Sequence, residues 1–439
     1  MIQQVLFIVV TIVAFGWAIK QFGRIRSNIK LGAPETISGD TGTRWKNVLL
    51  VAFGQQKMFA QWKPALLHFF IYSAFLLTQV ELIEILIDGF TGQHRMFAPL
   101  LGGFYTFVIS FIEILSLLAL IATVVFILRR TIFKRDRFNK PEMKGWPSKD
   151  GLLILAGEVV LIAAIFTMNG TDILLQELDP EHFPDTGNLA VSSILGPALF
   201  GSLSQNTLVI LERVGWWLHL LTVYAFLNYL PISKHLHIAL AFPNAYFSRL
   251  RPRGEMENMP DIMNEVKSMM GLIEEEEPPE GEELPEFGAK DVFDLSWKTL
   301  LDAYSCTECG RCTAACPANL TGKKLSPRKV MMDIRDRLEV VSTTRASQSA
   351  EQKAAPYDDG KSLFDSITPE ELHACTACQA CVEACPVLIN PLEPILAMRR
   401  YEVLTESSGP SDWIPMFNSI ENSGAVWQVG DARDAWTKD

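Results

Sequence analysis

The eight cysteines of this 439-residue chain fall into two runs of one spacing. Cys306, Cys309, Cys312 and Cys316 read C-x2-C-x2-C-x3-C with Pro317 next, and Cys375, Cys378, Cys381 and Cys385 repeat the pattern with Pro386 next. The close triplet lets one tight loop present three thiolates to an iron-sulfur cube, while the fourth cysteine starts a helix that crosses to the other cube. The spacing therefore predicts two [4Fe-4S] clusters, one on Cys306, Cys309, Cys312 and Cys385, the other on Cys375, Cys378, Cys381 and Cys316. Disulfides and structural zinc also use paired cysteines, but they do not call for the third cysteine and the proline placed in this way. No cysteine is left over for a catalytic thiol, and no catalytic residue is assigned.

The histidines form the second chemical set. His68, His219, His235 and His237 lie in or beside the apolar half of the chain. Neutral imidazole is the usual axial ligand of b-type haem, and an ionisable residue inside a bilayer is a functional candidate by default. A plain interhelical hydrogen bond is the competing role for a lone membrane histidine. His219 and His237 are 18 residues apart, which on a continuous helix is five turns, one face and about 27 Å. His235 would then point nearly opposite, and Pro231 can kink such a helix.

The elements that must position these groups divide the chain sharply. Hydrophobic residues make up 49% of it and the net charge is −11, a balance that argues against nucleic acid as a partner. Five apolar stretches, near 4–20, 64–87, 103–128, 151–168 and 208–231, are long enough or nearly so to cross a bilayer, which takes about 20 residues. The first lacks a basic n-region and a cleavage site, so it is expected to be a retained helix. Lys and Arg crowd the connections between the first and second and between the third and fourth stretches, whereas the other two carry only Arg95. The charge rule then puts the N-terminus outside and the cysteine-rich half in the cytoplasm. Reduced thiolates fit the same compartment. Residues 252–290, with Glu274 to Glu277, Pro278 and Pro279, read as a solvated linker.

Residues His219 to His237, with Pro231 and the Ser233-Lys234 pair between them, resemble the last transmembrane helix of the respiratory nitrate reductase gamma subunit family. That resemblance implies that His219 and His237 hold haem b. In that family the second helix supplies two partner histidines ten residues apart; His68 matches the inner one, and Thr78 stands at the outer position. The expectation is one haem b between His68 and His237, with a second only if His219 finds an unusual partner such as His94. If His219 is no ligand, it lies near Glu81, Glu84, Glu113 and Glu212, acids that could take protons from a quinol or simply pair with Arg213 and cap loops.

The cysteine half reads as helical, with helices from Ser296 to Tyr304, Ser326 to Val341, after Thr368-Pro369 and from Leu392 to Val403. Fifty-eight residues separate Cys316 from Cys375, a gap of the all-helical rather than the compact ferredoxin type. Phe287 to Trp297, the Cys-Thr-Glu-Cys-Gly-Arg-Cys run and Leu325-Ser-Pro-Arg328 resemble heterodisulfide-reductase-like and electron-transfer-flavoprotein quinone oxidoreductases. The resemblance covers nearly the whole chain. It implies an all-α protein: a five-helix haem b domain (1–245), an acidic linker (246–290), a dicluster ferredoxin domain (291–405) and a tail (406–439) that docks a partner or packs on the surface. No CCG motif occurs, so CCG domains are expected on a separate subunit.

The function expected is a multi-pass subunit of the inner (cytoplasmic) membrane that passes electrons between a cytoplasmic redox partner and menaquinone or ubiquinone. The partner is expected to be a flavoprotein such as electron-transfer flavoprotein, or a CCG-domain protein. Quinol-driven reduction of a disulfide or sulfur compound runs the same wire backwards. A non-catalytic anchor or redox sensor is the remaining class.

Overall fold

The computed structural model describes residues 2–133, 135–256, 258–273, 286–426 and 435–437. The described residues form helices, turns and loops without a strand; one isolated parallel bridge joins Ala33 to Ser296. The all-α expectation is met. Among the described residues five helices are long and apolar enough to cross a membrane: Ile2–Ile29, Gln56–Thr91, Gly103–Thr131, Trp146–Leu178 and Gln205–Ile232. We refer to them as the first to fifth spans. Large apolar side chains such as Val5, Ile12, Phe107 and Ile121 stay exposed on their outer faces, as lipid-facing positions require.

Small residues let the spans approach. A Cβ on Gly215 of the fifth span would sit 2.8 Å from the backbone nitrogen of Met168 and 2.9 Å from the carbonyl oxygen of Ala164 on the fourth. This is the close backbone approach by which membrane helices gain packing where lipid offers no hydrophobic drive. Gly215→Val should therefore lower the unfolding midpoint of the detergent-solubilised chain, with an overpacking cost of about 1–3 kcal/mol. An unchanged midpoint would show that these two spans part without penalty.

The fifth span does not run on to His237. Its α-helix ends at Tyr229, and Pro231, which lacks a donor for the helix ladder, sits in a short 3-10 turn. A second 3-10 turn, Lys234–Leu236, follows, and a new helix begins at His237 and ends at Tyr246. His219 and His237 thus lie on separate helices rather than on one face of a continuous one.

The two halves share a core. Ile25 of the first span and Leu236 pack in one cluster with Leu300, Val330, Ile334, Leu338 and other residues of the cysteine half. Polar contacts lock the same seam: Asn28 Nδ2 donates to Tyr304 Oη at 2.8 Å, and Lys298 Nζ donates to Asn244 Oδ1 at 3.0 Å. Within the cysteine half, the expected helix starts are present as caps. Ser296 accepts from Thr299 N, Ser326 accepts from Lys329 N ahead of Pro327, and Thr368 and Glu371 form a reciprocal capping box around Pro369.

Parts of the expected linker are ordered. Pro260–Met269 is an α-helix started by its proline, Arg253 pairs with Glu383 at 3.1 Å, and Ala289 donates to the carbonyl of Ala397 at 2.9 Å. Glu274 to Glu277, Pro278 and Pro279 lie outside the described residues, as do Lys134 and Trp427.

Candidate iron-sulfur and histidine sites

Both cysteine loops adopt one backbone course. Glu308 and Gly310 in the first have φ of 53° and 73°, and their counterparts Ala377 and Gln379 in the second have 53° and 60°. Left-handed residues are uncommon outside glycine, and three of these four are not glycine. They turn backbone N–H groups inward, the arrangement that favours an anion. Ala377 N points at Cys375 Sγ at 3.4 Å, and Ile389 N at Cys385 Sγ at 3.3 Å. Each loop leads into a five-residue helix, Arg311–Ala315 or Ala380–Ala384, and the two helices pack on each other. The chain then re-enters at Cys316-Pro317 or Cys385-Pro386.

The eight thiols gather as two sets. Cys385 lies within electrostatic reach of Cys306 and Cys309, and Cys312, where the two sets meet, within reach of all three and of Cys381. Cys381 lies within reach of Cys375, Cys316 and Cys378. The fourth cysteine of each run therefore sits with the first three of the other. A cavity is lined by Cys316, Cys375, Cys378 and Cys381 together with Leu392 and Ile395. Among the described residues no three His, Cys, Asp or Glu side chains converge on a single ion. A cubane, whose four irons each take one thiolate, matches a set of four thiols. Burial pushes the Cys306 thiol up to about 11 and those of Cys381 and Cys385 up to about 12. Iron, not the protein alone, must displace those protons.

Charged residues inside the first loop tie it to the spans, and sequence reasoning passed over them. Glu308, 4% exposed, accepts from Lys234 Nζ at 2.5 Å and from Arg335 at 2.8 Å. Burial works to raise the Glu308 carboxyl, but Lys234 and Arg335 outweigh it and hold the group below the usual range. Arg311 donates to the carbonyls of Lys57 and Met58 at 3.1 and 3.2 Å, at the start of the second span. The only signal in the sequence was the presence of two charges between metal-spaced cysteines. Glu308→Gln leaves buried Lys234 with only the more distant Asp150, at 3.7 Å, and half-buried Arg335 with Asp336 at 3.0 Å. It should cost about 1–3 kcal/mol, read as an earlier midpoint in the denaturant-driven bleaching of cluster absorbance; a midpoint equal to wild type would mean the pair holds nothing.

Three histidines meet at this same end. His68 and His237 lie within electrostatic reach of one another, and Arg311 within reach of His68. The rings of His235 and His237 are 5.9 Å apart. His237 Nδ1 bonds the carbonyl of Lys234 at 2.8 Å and His68 Nδ1 bonds Gln55 Oε1 at 3.1 Å. In each ring Nε2 is left for a metal, the usual second-shell arrangement of a ligating histidine. Burial lowers the basicity of His237 and takes His235 down to about 3, which favours neutral rings. The donor set fits a haem. His235, expected to point away, joins the group because the chain turns after Pro231.

His219 is buried on the fifth span with no hydrogen-bond partner for Nδ1. His94 is not free to assist it. Its Nε2 meets Asp172 Oδ1 at 2.7 Å, and its Nδ1 faces Arg213 at 3.4 Å and Glu212 at 3.9 Å. The acids expected near a quinol are engaged as well. Glu84 accepts from Tyr105 Oη at 2.6 Å and Phe97 N at 3.0 Å, and Glu113 accepts from Val191 N at 2.8 Å. Glu81 faces Arg95 at 3.6 Å, and Glu212 pairs with Arg213 at 2.8 Å.

Fold and site together define a membrane protein with an iron-sulfur dicluster domain. Residues 305–389 match the 4Fe-4S dicluster domain family. The chain is similar to the probable iron-sulfur-binding oxidoreductase FadF of Bacillus subtilis (strain 168), 29% identical over 93% of this chain and 57% of that protein. It is also similar to the EtfAB:quinone oxidoreductase of Syntrophomonas wolfei subsp. wolfei, 28% identical over 88% of this chain and 52% of that protein. A probable membrane-anchored ferredoxin of Chromohalobacter salexigens is 33% identical over 30% of this chain and 21% of its own length. The resemblance read from the sequence is borne out, and the chain spans a little over half the length of the first two relatives. No solved structure matches it significantly.

Proposed function

We propose that the chain is the membrane electron-transfer part of a quinone-linked oxidoreductase. Cys306, Cys309, Cys312 and Cys385 hold one [4Fe-4S] cluster, Cys316, Cys375, Cys378 and Cys381 the other, and His68 and His237 hold one haem b. The chemistry when loaded is one-electron transfer carried by these groups. The residues fix their spacing, exclude water and, through Lys234 and Gln55, orient the imidazoles. Electrons pass between a cytoplasmic flavoprotein or CCG-domain partner and menaquinone or ubiquinone in the bilayer. The cysteine half faces the cytoplasm and the N-terminus lies outside, in keeping with the Lys- and Arg-rich connections of the sequence. Residues 1–245 serve as the membrane domain and 291–405 as the dicluster domain.

The observation that carries this reading is the docking of the first cysteine loop, through Glu308 and Arg311, beside His68 and His237. The name of the Syntrophomonas relative supports the quinone. A reduced-minus-oxidised optical spectrum with haem and iron assays tests it. One haem and about eight non-haem irons per chain are expected; a spectrum without haem bands would leave the spans as an anchor.

A further inference from the structure

We propose that the two cluster sites have different neighbours and different roles. The Cys306/Cys309/Cys312/Cys385 site delivers electrons to and from the membrane. The Cys316/Cys375/Cys378/Cys381 site is the port at which a soluble one-electron carrier protein docks, on the loop around Cys378. This rests on the reading that both sites hold clusters.

The argument comes from comparing the loops position by position. Their backbones match, residue for residue, in the left-handed turns at Glu308 and Ala377 and at Gly310 and Gln379. Their side chains do not. Glu308 and Arg311, which bind the spans in the first loop, are replaced by Ala377 and Ala380, which carry no polar side chain to bind anything. Gly310 is also capped: a Cβ there would meet Arg328 at 2.5 Å, and Arg328 is itself 1% exposed. The first loop is closed over by the membrane half. In the second, Thr376 and Cys378 are exposed and Ala377 and Gln379 are half-buried. Among the eight cysteines Cys378 is the one exposed thiol, and its site borders a cavity.

Tunnelling falls steeply with separation, so a carrier in water must approach the site it can touch. The rim suits a transient protein contact. Trp413 packs edge-on against His373 at 4.9 Å, two residues before Cys375, and its helix Trp413–Ser423 leaves Ile414, Phe417 and Ile420 exposed. The pair Lys324–Glu370 adds one charge of each sign at the surface. Cys381 packs with Cys312, which joins the open site to the covered one. With clusters bound, the rim at Cys378 would admit one electron from the carrier's reduced flavin or iron-sulfur group, the carrier being oxidised by one, and the Cys381–Cys312 contact would lie on that electron's way to the covered site. No bond or proton changes hands.

The test uses the full chain in detergent, chemically reduced, with a soluble dysprosium chelate as a spin relaxer. Cys378→Ser and Cys309→Ser mark which electron paramagnetic resonance signal belongs to which site. If a variant loses its cluster, the signal that survives identifies the other. We expect the signal altered by Cys378→Ser to relax several-fold more with chelate than the signal altered by Cys309→Ser. Equal or reversed sensitivity would overturn the assignment. In a second arm reduced flavodoxin is the probe. Thr376→Trp should slow its reduction of the chain several-fold with iron content unchanged, and an unaltered rate would remove the port from this loop. A wild-type chain with only one cluster signal would instead sink the underlying two-cluster reading, and the two failures are thus told apart.

Discussion

His237→Ala is expected to abolish the haem bands of the purified chain while leaving about eight non-haem irons in place. The imidazole is oriented by its Nδ1 bond to the carbonyl of Lys234 at 2.8 Å, which leaves Nε2 as the donor. Alanine removes that donor without touching either cysteine loop. His68→Ala should behave alike, because His68 meets Gln55 through Nδ1 in the same way and reaches the same space. His219→Ala should retain the haem, since His219 lies on the α-helix that ends at Tyr229, before the chain turns toward His237. The readout is the pyridine haemochrome beside an iron assay. Full haem content in either the His68 or the His237 variant would sink the pairing, and loss in His219→Ala would move a ligand up the fifth span.

Cys385→Ser is the second large effect. The residue follows Cys381 in the chain, yet its sulfur keeps company with Cys306, Cys309 and Cys312. Its loss should therefore damage the cluster held by the first loop, dropping iron toward about four per chain, and leave the signal of the second loop intact. A local, uncrossed arrangement predicts the reverse. The companion variant Cys316→Ser should spare the first loop and damage the second, where Cys316 lines the cavity with Cys375, Cys378 and Cys381. If each variant damages the cluster of its own run, the crossing is wrong. Serine retains the volume of the side chain, and a collapse of both signals would point to lost folding, which the far-ultraviolet helical signal of the same sample would reveal.

Much of the architecture was legible because it is written in local spacing. Five apolar runs mark five spans, although the structure carries some of them well past the apolar run, the first on to Ile29 and the fourth on to Leu178. The caps at Ser296, Ser326 and Thr368 are likewise local: a short polar side chain satisfies amides two or three residues on. The histidines were harder. Periodicity placed His219 and His237 on one face because it assumes an unbroken helix, and Pro231 breaks it. The turn that follows brings in His235, which a helical wheel points away. His94 could pass for a spare ligand in sequence, but both its ring nitrogens face charged partners from distant spans, Asp172 and Arg213.

The sequence by itself determined the chemistry and the number of its sites: eight thiols in two metal-spaced runs, five membrane-length helices and histidines at their ends. Those properties are local, set by residue type and by separation along the chain. Only the tertiary structure decided how the sites relate. The two cysteine loops are near-copies in spacing and in backbone, yet one is sealed against the spans by Glu308 and Arg311 and the other stands open at Cys378. A charge in a loop is a surface charge or a docking bolt according to what lies opposite. Here Lys234 and the carbonyls of Lys57 and Met58, far away in sequence, make it the second.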